Sequence, residues 1–358
     1  MINIDFTNYV SPFAWRYASS EMKKIWSERY KYELWRKIWV TLAQVQHEAG
    51  LVSAKELADL KKYENEIDVE RIVEIENETN HDVVSAIKEF CEKAKIGGGK
   101  IHLGATSMDI VDNAEALKIK AALRIVECKI KELLTIFSKK ITAYADTSCM
   151  GYTHLQPAEP TTIGYRLAGY AQDLLNDLIL LTFVQKTVKA KGMKGAVGTR
   201  ASYADILENS KMTADRLDEK VCQELGIEST LITTQVYPRK FDYFVLVFLA
   251  SVAGSLSKFA GDVRMLQNPA VGEWSEPFGK KQVGSSAMPF KKNPATCEKI
   301  CSLGRFIAKL PEVALENSML SYLERTLDDS ANRRIVLAEG FLKIKIKKVH
   351  LDWVYWML

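Results

Sequence analysis

The stretch from Asn113 to Ala145 contains neither proline nor glycine, and Ala116, Leu117, Leu123, Ile130, Leu133, Leu134, Phe137 and Ile141 give it a recurring apolar stripe. As one α-helix it would reach ~50 Å at 1.5 Å per residue, far beyond the average helix. A rod of that length buries its stripe only against other long rods. The chain supplies them: helical patterns run from Thr161 to about Lys191, from about Asp205 to Leu225 and from Phe241 to Leu266. A further pattern from Glu21 to Ala49 carries Ile25, Leu34, Ile38, Leu42 and Val45, with Gly50 as a stop. Convincing strands are few, so the expected fold is all-α, a long-helix bundle with a small helical N-terminal domain. "KIGGGKIHLGATS" has the glycine density of a border and divides residues 1–105 from a central bundle over 106–342. Some helices, such as "YFVLVFLASVAGSLSKFA", are apolar on both faces, which predicts a homo-oligomer with a shared bundle.

Composition narrows the function classes. With 47% apolar and 26% charged residues and a formal charge of +4 over 358 residues, the chain is neither disordered nor drawn to polyanions, and no nucleic-acid partner is expected. Cys91, Cys128, Cys149, Cys222, Cys297 and Cys301 form no CxxC pair and no zinc-finger spacing, which reads as a reduced, intracellular chain. Cys297 and Cys301 read as buried small hydrophobes on one helix face. "MINIDFTNYV" has no signal-peptide pattern, and Phe244 to Leu256, the most apolar run, is too short for a membrane span. The expected location is cytoplasmic, with no membrane partner.

Against this helical background "GSSAMPFKKNP", Gly284 to Pro294, is anomalous: two serines and two lysines with almost nothing to bury. Gly272, Gly279 and Gly284 make the segment leading into it pliant, as in a lid that closes on a ligand. Asn293 and Pro294 have the chemistry of an N-cap and a first helical residue, so the segment should end at a helix N-terminus that attracts anions, reinforced by Lys291 and Lys292. Standing alone, the stretch reads as a solvated basic loop before a capped helix. Three of the five histidines, His81, His102 and His154, also sit in polar or glycine-rich turn segments, where placement favours function over packing. Their spacing has no HExxH character, and no metal site is expected.

"GSSAMPFKKNP" matches the signature of the fumarase and aspartase superfamily. Together with "SPFAWRY", "NHDVV", "HLGATS", "GYTHLQPAEPTT" and "ERTLDDSANRR", in collinear order from Ser11 to Leu342, it resembles the adenylosuccinate lyase family, closest to its animal-type branch. The resemblance implies the long-helix bundle of that superfamily and a C–N β-elimination that releases fumarate from adenylosuccinate, and from the succinyl carboxamide ribotide of purine synthesis. Such a reaction needs a base for a carbon-bound proton, an acid for the departing nitrogen and positive groups for the carboxylate that takes up charge. By position, Ser285 resembles the family's base and His154 its general acid. Lys291 is placed to stabilise the serine anion, and Glu298 matches an acidic residue that orients the histidine. Arg16, Tyr17, His81, Asp82, Thr106, Ser107, Thr153, Gln235, Asn293, Lys299, Arg325, Ser330 and Arg334 fall where the family binds phosphate, ribose, base and succinyl carboxylates. The resemblance also implies a small-molecule nucleotide substrate, no cofactor, and a homotetramer whose sites are assembled from three subunits.

The sequence departs from the family at three places. Asn80 stands where the animal-type branch usually has arginine, and Lys299 replaces an arginine, keeping the charge without the bidentate fork. After Leu342 the family continues into more bundle and a third helical domain, whereas "KIKIKKVHLDWVYWML" follows here, so residues 343–358 are expected to form an atypical tail, with that third domain absent. Two other readings remain open at this level: a catalytically silent structural or regulatory paralogue, and another lyase of the superfamily such as argininosuccinate lyase.

Overall fold

The computed structural model describes residues 7–342. The atypical tail expected over residues 343–358 lies outside the described residues. Among the described residues thirteen α-helices, a π-helical turn, a short 3-10 turn and one two-stranded ribbon make up the ordered elements, and helix accounts for 63% of the structure, so the fold is all-α in class.

A short π-helical turn, Phe13–Tyr17, precedes α1 (Ser20–Ile25) and α2 (Glu28–Glu48). The single run read from Glu21 to Ala49 is broken because Ser27 takes extended backbone and its hydroxyl accepts the Tyr30 N–H, restarting the helix. Three further helices complete the N-terminal region: α3 (Ala54–Lys62), α4 (Val69–Thr79) and α5 (Asp82–Lys93). The long rod α6 spans Ser107–Ala143 and starts earlier than its apolar stripe because Thr106 supplies the cap. A hairpin, β1 (Ser148–Thr153) and β2 (Gln156–Thr162), leads into α7 (Ile163–Thr187), which Thr162 caps through the Tyr165 N–H. The pattern expected from Asp205 to Leu225 is interrupted. Its observed pieces are α8 (Ala201–Ile206) and α9 (Ala214–Leu225), and the Thr213 hydroxyl caps the second. The remaining helices are α10 (Lys240–Leu266), α11 (Ala295–Ile307), α12 (Leu310–Met319) and α13 (Asp329–Leu342).

Two cores result. In the bundle core, Ile119, Leu123, Val126, Ile130 and Phe137 of α6 meet Leu167, Leu174 and Leu181 of α7 and Val245, Phe248, Leu249 and Val252 of α10. By length and composition α10 is apolar enough to cross a membrane, which exceeds what its sequence window suggested. It packs against α7, α11, α12 and α13, as the central helix of a bundle does. The second core joins α2 to α5 and the start of α6 to residues 190–227, including Met193, Tyr203, Leu217 and Val221, so the N-terminal helices are completed by chain from far downstream.

Buried charge fixes how these parts meet. Asp109, fully buried on α6, accepts from Thr106 N–H at 3.1 Å, Tyr203 O–H at 3.1 Å, Gly195 N–H at 3.1 Å and the Lys191 ammonium. Arg239, at the head of α10, reaches Asp112 on α6 at 3.0 Å and Asp329 on α13 at 2.6 Å, while Arg333 pairs with Asp242 at 2.6 Å. Desolvating such ions is repaid only by close pairing and hydrogen bonding, and in the second cluster Arg239 Nη2 and Asp329 Oδ1 are buried with no hydrogen-bond partner among the described residues.

Candidate active site

Elements from distant parts of the chain converge on the N-terminal half of α13. Arg334 donates to Asp82 at 3.1 Å across 252 residues of sequence, and Arg325 donates to the Gln235 side-chain oxygen at 3.0 Å. Ser330 lies one turn before Arg334, its N–H held by the Leu327 carbonyl at 3.0 Å. Burial, and then the charge of Arg239, push the Arg325 guanidinium below its ordinary range, with Asp112 and Asp329 opposing. Arg325 and Gln235, with Val197, Leu323 and Leu327, line an open depression of about 530 Å³.

His81 takes the N-cap position of α5, and its Nδ1 accepts the Val84 N–H at 3.4 Å. The chain reaches it through Asn80 in left-handed backbone, which asparagine tolerates better than most residues. His102 accepts from the Trp39 indole N–H at Nδ1, 3.1 Å away, so its neutral ring carries the proton on Nε2. Burial holds His102 below its ordinary value, Asp109 opposes this, and the field of His81 adds to it. Thr106, whose N–H donates to Asp109, and Ser107 stand at the start of α6. Arg16 and Tyr17 sit on the π-helical turn, which packs against α13, and Arg16 is exposed with its guanidinium over the Trp15 ring.

The hairpin holds the next pair. Thr153 and His154 are exposed, and His154 and Leu155 form a two-residue turn with φ of 51° and 60°, as in a type I′ turn. Two prolines in β2 hid this ribbon in the sequence, because proline argues against a strand unless the strand is an edge, and here both are. Gly151 marks the bulge: a Cβ there would lie 2.7 Å from the Glu159 carbonyl oxygen.

The strap from residue 267 to residue 294 carries Ser285, Lys291 and Asn293, and Glu298 and Lys299 follow on the exposed face of α11. The Ser285 Oγ accepts two backbone N–H groups, from Met288 at 3.1 Å and Ala287 at 3.3 Å, which favour its anionic form. Gly284 permits this turn, since a Cβ there would sit 2.0 Å from the Lys291 carbonyl oxygen. The expectation for the strap's end needs correction. Asn293 does not cap α11; its amide donates to the Gly284 carbonyl at 2.9 Å, and Pro294 lies just outside the helix. The cap is Glu276, whose carboxylate accepts from Thr296 N–H and Cys297 N–H, each at 2.8 Å. The helix end is therefore already occupied by the Glu276 carboxylate. Burial and the Glu276 charge push the Cys297 thiol well above its ordinary range.

Among the described residues, no hydrogen bond or ion pair joins His154 to Glu298, or either His154 or Ser285 to the cluster on α13. The Arg334–Asp82 pair ties α5 to α13, and the Phe13–Tyr17 turn packs on the same helix. Sequence reasoning passed over Asp112, Arg239, Asp242, Asp329, Arg333 and Glu276, because a buried charge looks in sequence like any exposed one.

A family model described as lyase matches residues 15–307. Adenylosuccinate lyase of Saccharomyces cerevisiae is 38% identical over 347 residues, 96% of this chain and 72% of the yeast protein. Those of Schistosoma mansoni and Archaeoglobus fulgidus are each 37% identical, over 94% and 92% of this chain and 71% and 72% of theirs. The chain belongs to the adenylosuccinate lyase family. Its place in the fumarase and aspartase superfamily follows from the same family model, and as an adenylosuccinate lyase family member it is an enzyme of the C–N lyase type. The fold agrees: fumarate lyase from Mesorhizobium sp. BNC1 superposes with a TM-score of 0.81 at 23% identity, covering 98% of this chain and 76% of that one. The 3-carboxy-cis,cis-muconate lactonizing enzyme from Pseudomonas putida gives 0.82 at 22%, covering 95% and 76%.

Proposed function

We propose that the chain cleaves adenylosuccinate to AMP and fumarate, and the succinyl-aminoimidazole carboxamide ribotide to the free carboxamide and fumarate, within purine biosynthesis. The observation that carries this reading is the convergence of two backbone N–H groups on the hydroxyl of Ser285, in an exposed strap beside Lys291. A serine needs such donors to act as a base. Its alkoxide takes the proton from the succinyl carbon, the adjacent carboxylate takes up the charge, the C–N bond breaks, and His154 protonates the departing nitrogen. Glu298 is assigned to orienting His154, and Asn293 and Lys299 to the succinyl carboxylates. Arg16, Tyr17, His81, Asp82, Thr106, Ser107, Thr153, Gln235, Arg325, Ser330 and Arg334 hold the nucleotide, the arginines through paired N–H donors.

The separation of the hairpin and the strap from the α13 cluster supports a site completed by other copies, in a cytoplasmic homotetramer. An uncovered stripe on α7, Leu175, Ile179 and Phe183 at 46%, 70% and 51% exposure, supports the same reading. The test is fumarate release from adenylosuccinate by the purified chain. Ser285→Ala and His154→Ala should each lower kcat by about 10² to 10⁴ with helical content intact. No release by the intact chain, or turnover of argininosuccinate instead, would overturn the proposal.

A further inference from the structure

The strap leaves the bundle at Gln267 and returns at Ala295, and four residues fasten its departing end. Glu273 accepts from Arg166 at 2.7 Å and from the Tyr152 O–H at 3.3 Å, and Trp274, 3% exposed, packs among the rings of Tyr170 and Phe259. Glu276 then turns inward and is 5% exposed. Its carboxylate accepts the N–H groups of Thr296 and Cys297 at the returning end, and its own N–H donates to the Gln267 side-chain oxygen at 2.8 Å. The Gln267 amide in turn donates to the Lys292 carbonyl at 2.8 Å. The end of α10, the departing chain and the returning helix are thus joined through one buried carboxylate. Capping alone does not require this arrangement. Asn293 stands close by with a suitable side chain, yet its amide is used inside the strap, on Gly284. A charged carboxylate brought in from 20 residues away does something a local cap does not: it fixes the separation of the two roots.

We propose that Glu276 is the positioning residue of the strap, and that by clamping both roots it sets where Ser285 stands when the strap meets substrate. The inference rests on the assignment of Ser285 as base. The role is geometric, since the carboxylate is committed to backbone donors and has no part in moving protons. Loosened roots would let the strap reach more arrangements, of which few are productive, so the effect belongs in kcat.

Glu276→Ala removes all the acceptors, whereas Glu276→Gln keeps one oxygen and the shape. Steady-state fumarate release from adenylosuccinate should show kcat lowered about tenfold or more in Glu276→Ala, intermediate in Glu276→Gln, with KM within about twofold of the parent. Trypsin should cut the folded Ala variant faster at Lys280 and Lys281. A parental kcat in a folded Glu276→Ala chain, even a less stable one, would show a plain cap and overturn the proposal, as would a change confined to KM. If the Ala variant fails to fold, Glu276→Gln decides alone: a kcat lowered severalfold supports the proposal and an unchanged kcat overturns it. An inert parent would reject the assignment of Ser285 instead, and the clamp would then stand or fall on whether trypsin cuts the Gln variant faster than the parent.

Discussion

Two pairs of residues four apart at the start of α13 face different ways, and the division explains what each does. Asp329 and Arg333, four apart, turn inward to Arg239 and Asp242, while Ser330 and Arg334 share the outer face with the proposed nucleotide contacts. Arg334→Ala removes an ion pair whose arginine side chain is 70% exposed, so unfolding free energy by urea titration should fall by less than about 1 kcal/mol while KM rises. Asp329→Ala leaves Arg239 buried without that partner, and the same titration should show a loss of about 3–5 kcal/mol. His102 adds a dependence on pH. Burial holds its imidazole below the ordinary value of 6.5, so just below that pH the unfolded chain binds more protons than the folded one. The stability owed to the neutral ring is therefore complete above about pH 6.5 and is lost as the pH falls, and His102→Gln should flatten the urea-midpoint profile between pH 7 and pH 5. None of this inward and outward sorting was legible in "ERTLDDSANRR", which identifies the family but not which of its charges are buried.

At the scale of elements, long helices were legible because a stripe repeated over many turns is redundant: α6, α7 and α10 stand close to where their apolar residues put them. Short-range signals were less dependable. Ser27 and Thr213 each interrupt a continuous apolar pattern, since one hydroxyl on a backbone N–H suffices to end one helix and begin another. The hairpin was hidden by Pro157 and Pro160, and the cap of α11 by a partner 20 residues upstream. Crossings between helices were equally invisible. Gly164 at the head of α7 lies against the end of α6, where a Cβ would approach the Ile141 carbonyl oxygen to 2.6 Å. Gly164→Ala should therefore lower the thermal midpoint despite alanine's better helix propensity, because backbone and not a yielding side chain stands in the way.

For the molecule as a whole, the proposed chemistry depends on more than one copy of the chain. Most of its nucleotide contacts gather around α13, whereas the exposed His154 at the hairpin tip and the half-buried Ser285 in the strap have, among the described residues, no hydrogen bond or ion pair to that cluster. The apolar stripe of α7 gives copies a surface through which to meet. Ile179→Glu should lower the mass measured by light scattering and abolish fumarate release together, since a charge in such an interface is costly. Sites shared between copies, as proposed, would also account for motifs spread from Ser11 to Arg334. The most direct measurement mixes the Ser285→Ala and His154→Ala chains, each inert alone, dissociates them and lets them reassemble before assaying fumarate release from adenylosuccinate. If acid and base reach each site from different chains, roughly a quarter of the parental activity should return, the statistical share of sites with both side chains intact. A mixture as inert as its components would contradict the account.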